Sequence, residues 1–327
     1  MRHRIPTRTA AISVLIFGQP YWGSFIAELL TTHAADMRPA FIAPRDYARV
    51  LVRPPRSERA VILRVGYRVG ASTARGRLFD AYWALLRRSM PDAVPCHYWL
   101  GTDVLQTTEE AEAGTLRGHA LLSSGTDLHL AAAPWLVDEL QSVGVHAVTA
   151  MIPGDSKTIP QVVAPLPSQF SVLTYLPTGR FDYYGGPTIL ESARRLPGIR
   201  FDVVGTRRDP TGSATPNVRW HGWVEDMAPY YRGTVAVVRL PRHDAMGGTV
   251  LEGLLHARHV IFTYELPFVQ FVRPATADAL VEALEAMHRA HLAGRLGLNL
   301  AGRLHALEQY DESNIAGQMA ALIRSRV

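Results

Sequence analysis

Residues 235–262, VAVVRLPRHDAMGGTVLEGLLHARHVIF, decide the fold. Residues 235–240 form an apolar, β-branched run of the kind that makes a buried parallel strand. A turn follows, marked by Pro241 and by the pair Gly247 and Gly248. Across residues 249–256 the apolar positions Val250, Leu251, Leu254 and Leu255 fall at helical spacing. Residues 260–262 then open another buried strand. The stretch therefore reads as strand, glycine-rich loop, helix, strand. In such a unit the unsatisfied N–H groups of the first helical turn point toward the loop and attract anions, phosphate above all.

Two acids bracket that loop. Asp244 precedes the glycines, and Glu252 lies eight positions later among apolar neighbours, where an unpaired carboxylate is expensive. Either Glu252 accepts two hydroxyl hydrogen bonds side by side, as from a ribose diol, or it pairs with an arginine or caps a neighbouring loop.

The order of acid, two residues, Gly247, four residues, Glu252, and then a small-apolar stretch before Val260 and Ile261 resembles the donor-site signature of the retaining GT-B glycosyltransferases of family 4. Asp244 stands where that family has Glu. Upstream, Asn217, Val218, Gly222 and Val224 resemble the family segment that approaches the nucleotide base, with Trp223 inside it. Gly101, Thr102, Asp103 and Val104 match a family segment that ends a strand of the acceptor domain, although Leu100 occupies the position of the family's His. Gly179 and Arg180 match the start of its diphosphate-binding segment, but the Lys expected about five residues on is missing near Gly185. The resemblance spans roughly residues 10–270, more fully in the second half.

It implies an α/β protein of GT-B architecture, with two Rossmann-like domains facing across a cleft. Residues 1–160 would form the acceptor-binding domain and residues 161–327 the donor-binding domain, the last helix packing back on the first. The Pro-rich stretch with Pro160, Pro165 and Pro167 marks the linker, and strand–helix alternation restarts at residue 171.

Composition agrees with a globular enzyme. The chain has 327 residues, 47% of them apolar and 19% charged, with a net charge of +5; that suits two medium α/β domains. No apolar run approaches the ~18 residues that a transmembrane helix needs. Cys96 is the only cysteine, which excludes an internal disulfide and fits a reducing, cytoplasmic compartment. The start, basic and then apolar, mimics a leader, but it runs into the bulky residues Tyr21 and Trp22 rather than a small-residue cleavage site, so residues 12–17 read as a first strand. Residues 18–23 read as its loop, in which Gly18 and Gly23 either face the cleft, as the resemblance to GT-B enzymes implies, or are turn residues only, and Ser24 reads as the N-cap of the next helix.

Charge is uneven. Residues 45–88 carry eleven Arg against Asp46, Glu58 and Asp80. This is either a solvated surface or a basic face in peripheral contact with an anionic membrane.

The chain contains no Asp-x-Asp motif and no His, Asp and Glu grouping with metal-ligand spacing, so no metal is expected. Glycosyl transfer without a metal needs helix N–H groups and a basic side chain to neutralise the leaving diphosphate. Gly247, Gly248 and Thr249 supply the first, and Arg180, alone or with Arg207, the second. The resemblance places Glu252 on the ribose, Asp244 near the sugar, and Gly222 and Trp223 near the base. His243, beside Asp244, either touches the sugar or phosphate or is a surface loop residue. The expected donor is a nucleotide-diphosphate sugar, with no permanently bound cofactor. The expected acceptor is a glycan, a lipid-linked or a small molecule, and no nucleic acid partner is expected. Two alternatives stand beside this reading: a nucleotide-sugar epimerase, which would need extra acid/base carboxylates or His that the sequence does not place in the cleft, and a GT-B binding subunit without turnover, which the departures at Leu100 and near Gly185 keep open.

Overall fold

The structure, a computed structural model, describes residues 11–55, 57–66, 74–116, 125, 127–154, 156–212 and 215–327. The chain divides into two compact units. The first comprises residues up to Ile152 together with Glu312–Val327, and the second is Pro153–Asp311.

The first unit is built on six parallel strands: β1 (Ile12–Gly18), β2 (Met37–Phe41), β3 (Ala60–Val65), β4 (Val94–Trp99), β5 (Leu128–Ala131) and β6 (Ala147–Thr149), in the order β2-β1-β3-β4-β5-β6. Central strands covered by helices on both faces are near-continuous apolar runs, and every residue of β3 is buried, Arg64 being its one charged member. The edge strand β2 instead alternates and tolerates Pro39, which cannot donate to a ladder.

The second unit has its own six parallel strands: β7 (Ser171–Tyr175), β8 (Arg200–Val204), β9 (Val218–Gly222), β10 (Ala236–Arg239), β11 (His259–Phe262) and β12 (Gln270–Phe271). Their order is β12-β11-β10-β7-β8-β9. Its core gathers Val172, Phe201 and Val238 from the sheet with Ile189 and Leu190 from the helix Gly186–Arg195 and Leu280 and Leu284 from the helix Ala277–Leu292.

Each order contains one reversal, where neighbouring strands send their connections to opposite sides and a crevice opens at their carboxyl ends. In the first sheet the reversal lies between β1 and β3. In the second it lies between β7 and β10.

One local expectation is corrected. The first helix is Pro20–His33, not a helix capped by Ser24; Pro20 presets the helical φ at a position whose N–H would be unsatisfied in any case. Gly23 is therefore helical, and its bare backbone lies on the Phe41 ring, where a Cβ would come within 2.6 Å of Cε2. The helix Ala74–Ser89 follows β3 in the chain, and residues 67–73 between them lie outside the described residues. The helix Leu300–Gln309 starts where it does because the Asn299 side chain accepts the Gly302 N–H at 3.0 Å.

Among the described residues, no helix is long and apolar enough to cross a membrane. Within the arginine-rich stretch Arg45, Arg49, Arg53, Arg77 and Arg88 are exposed, while two others are engaged in ion pairs inside the unit. Arg64 is buried in β3 and paired with Asp80 at 2.7 Å, and Arg87 reaches the buried Asp127 at 3.0 Å.

Candidate functional site

Two loops leave the carboxyl ends of β7 and β10, and they interlock. The Tyr183 hydroxyl donates to the His243 carbonyl at 2.8 Å, and the Arg242 N–H to the Tyr183 carbonyl at 2.8 Å. Gly185, with φ of 77°, lies against the end of β10 so closely that a Cβ would sit 2.7 Å from the Leu240 carbonyl oxygen. Only glycine combines that φ with that approach.

The second loop leads into the helix Gly248–Leu255, whose N-cap Gly247 offers no side-chain acceptor. Gly248 is exposed and Thr249 half-buried, so the first-turn N–H groups face an uncapped, electropositive end. Beneath it lies Arg239, the last residue of β10. Its guanidinium donates to Asp244 Oδ2 at 2.7 Å and to Thr249 Oγ1 at 3.3 Å, and stands over the Tyr184 ring at 5.0 Å. Burial is the largest single influence and works against that charge, but Asp244 and Tyr184 together outweigh it and hold the guanidinium above its ordinary value. Gly247 is required by the same side chain: a Cβ there would sit 2.7 Å from Arg239 Cδ.

Glu252 is half-buried one turn into the helix. Its Oε2 accepts the Tyr231 hydroxyl at 2.6 Å, and its Oε1 lies 3.7 Å from where a Cβ on Gly248 would be. Burial, with the Glu252 charge beside it, pushes the Tyr231 phenol well above its usual range, so it remains a donor. Tyr231 also stacks on His256, with ring centroids 4.8 Å apart.

Of the other residues expected here, Arg180 is exposed and lies over the Tyr183 ring at 4.6 Å. Arg207 is exposed and packs on Gly222, whose φ of 73° leaves no room for a Cβ beside Arg207 Cγ, 2.6 Å away. Neither arginine forms an ion pair with a described residue. Trp223 is 72% exposed, and His243 is buried, edge-on to Tyr264.

Asp103 and Gly18 belong to the first unit. Oδ1 of Asp103 accepts the N–H groups of Leu100, Gly101 and Val104 at 2.9, 2.9 and 3.1 Å. It thus closes the turn into the helix Thr102–Glu112. Burial pushes this carboxyl up to about 6, against those donors. Gly18, at the end of β1 with φ of 116°, approaches β3 so closely that a Cβ would lie 3.0 Å from the Val65 nitrogen. Among the described residues no group of three or more His, Cys, Asp or Glu side chains is placed to hold a metal ion.

Sequence reasoning passed over Arg239, Tyr231 and Tyr184. The signal for the first was present, since an arginine ending a buried strand must have a partner within reach.

No family model matches this chain, and no curated protein matches its sequence. Its structure is similar to solved ones. A glycosyltransferase from Rickettsia africae ESF-5 superposes with a TM-score of 0.71 at 12% identity, covering 97% of this chain and 99% of that one. Sucrose-phosphate synthase from Thermosynechococcus elongatus gives 0.68 at 16% identity, covering 96% and 98%. HepE from Anabaena, solved in complex with UDP-glucose, gives 0.68 at 13%, covering 96% and 99%. These neighbours are GT-B glycosyltransferases, and the chain has their fold.

Proposed function

We propose that the protein is a glycosyltransferase of the retaining, metal-independent kind that family 4 represents, drawing on a nucleotide-diphosphate sugar. One observation carries this reading. At the reversal of the second sheet, an uncapped helix start and the Glu252 carboxylate lie on the same short helix, above a buried arginine. Phosphate and ribose hydroxyls are the two chemistries such a pair serves.

In this reading the second unit holds the donor. The diphosphate meets the N–H groups of Gly248 and Thr249, with Arg180 as the exposed cation. Glu252 accepts the ribose hydroxyls, and Arg207, Gly222 and Trp223 flank the base. Arg239 is committed to Asp244, so its work is to set that carboxylate toward the sugar. In the reaction the bond between the anomeric carbon and the diphosphate oxygen breaks, a bond to the acceptor oxygen forms, and the acceptor's proton leaves with the departing phosphate. The first unit supplies the acceptor site. Support comes from the fold shared with glycosyltransferases and from HepE, solved with UDP-glucose.

The test is calorimetric titration with nucleoside diphosphates, beside donor hydrolysis across a panel of nucleotide sugars. Glu252→Ala should weaken nucleoside diphosphate binding by roughly 1.5–3 kcal/mol, the worth of charge-assisted hydrogen bonds. Wild-type affinity in that variant, with the fold intact, would leave Glu252 a structural partner of Tyr231 and remove the donor reading.

A further inference from the structure

The reversal of the first sheet has a crevice of a different character. A pocket of about 380 Å³ opens beside Gly18 at the end of β1. Its walls are Tyr47, Phe79 and Tyr82, with Ala48 between them and Leu78, 73% exposed, carrying the apolar surface outward. Tyr47 and Tyr82 stack with centroids 4.4 Å apart and planes at 17°, and Phe79 tilts against both, at 6.0 and 6.3 Å. Tyr82 is 9% exposed, and its hydroxyl is buried without a hydrogen-bond partner; burial pushes that phenol up.

Three occupants would suit an acceptor site: a sugar ring, an alkyl chain or an aromatic ring. A sugar stacks on aromatic faces but carries hydroxyls on its rim, each needing a partner, and among the described residues these walls offer two phenols and no carboxylate, amide or guanidinium side chain. An alkyl chain calls for a long aliphatic groove, whereas this pocket is bounded and faced with flat rings. Offset and edge contacts between aromatic rings favour a planar apolar group, and the volume lies at the lower end of small-molecule sites. We infer that this pocket binds the aromatic ring of a small acceptor whose hydroxyl receives the sugar. The identity of that ring as an acceptor rests on the transferase reading; its binding does not.

The full chain is titrated with phenyl, octyl and methyl glucoside, which share one sugar, and separately with UDP and GDP. Phenyl glucoside should bind about tenfold tighter than methyl glucoside, or better. Ala48→Trp, which fills the pocket, should abolish that preference. Leu78→Asp, at an exposed position that leaves folding intact, should reduce it. Equal affinities for phenyl and methyl glucoside, or a preference untouched by both variants, would overturn the inference, and an octyl preference would replace the ring with a chain. If neither nucleotide binds, the donor reading falls, while the glucoside series still decides the pocket.

Discussion

Arg239 and Asp244 form a pair that cannot be altered one side at a time. The guanidinium is buried, and Asp244 is its carboxylate partner at 2.7 Å. Removing one member of a buried ion pair leaves an uncompensated charge, at a cost of about 3–5 kcal/mol. Asp244→Ala should therefore lower stability by that order in denaturant unfolding. Replacing Arg239 by Met in the same chain should recover most of the loss. Asp244→Asn keeps the volume and one acceptor oxygen, and so isolates the chemical role. Turnover should fall more than affinity for the nucleoside diphosphate, because the proposed partner of Asp244 is the sugar. An Asp244→Asn chain that transfers sugar at the wild-type rate would make this carboxylate a scaffold for Arg239 alone.

At the scale of elements, the loops after β7 and β10 are held by a glycine against a carbonyl and by tyrosines against backbone. Gly185→Ala would force a left-handed φ and a 2.7 Å approach to the Leu240 oxygen. The expected loss is about 1–3 kcal/mol, visible as a lower urea midpoint, with weaker nucleotide binding as the loops separate. The helix Gly248–Leu255 ends at His256, whose ring is buried against Tyr231 beside Arg258. Burial, and then Arg258, bring this imidazole down to about 4. At pH above about 6.5 it is neutral both folded and unfolded and contributes nothing to the pH dependence. As pH falls from there toward 4, the unfolded chain takes a proton that the folded chain refuses, so stability drops, by at most about 1.4 kcal/mol per pH unit. His256→Gln should flatten that part of the profile in unfolding midpoints measured from pH 7 to 4; an unchanged slope would assign it to other groups. These elements were the legible part of the chain. Apolar runs and helical spacing located the strand, loop, helix and strand of residues 235–262, because burial on two faces permits little else. The start of the first helix was hidden, because proline at a first helical turn and proline in a loop look alike in one dimension. Arg239 was legible as a charge ending an apolar run, which requires a buried partner, whereas Tyr231 and Tyr184 reach the site only through tertiary packing, which no local spacing encodes.

Across the whole molecule, an arginine recurs beside each reversal point. Arg64 is the penultimate residue of β3 and Arg239 the last of β10, each buried and each answered by an aspartate in the segment that follows, Asp80 and Asp244. Their settings differ: burial holds Arg64 below its ordinary value, whereas Asp244 and Tyr184 together keep Arg239 above it against its burial. The first setting goes with an aromatic pocket and the second with an uncapped helix start, which is in keeping with the proposed division between acceptor and donor. The first unit is also not contiguous in sequence. The helix Glu312–Arg324 packs Ile315 and Ala316 against Leu29 of the helix Pro20–His33, and Arg324 clasps Asp36 at 2.7 and 2.8 Å. The Val327 carbonyl accepts from Arg59. A chain ending at Asp311 would expose Leu29 and Met151 and lose the apolar burial of Ile315, Met319 and Ile323, each fully buried aliphatic side chain being worth about 1.5–3 kcal/mol. Hydrogen exchange read by mass spectrometry should then show faster exchange through β1, β2 and the helix Pro20–His33. The strands β7, β8 and β10 should keep their protection, since their core draws nothing from residues beyond 311. Faster exchange in both sheets alike would mean that the terminal helix supports the fold as one cooperative block rather than as a member of the first unit.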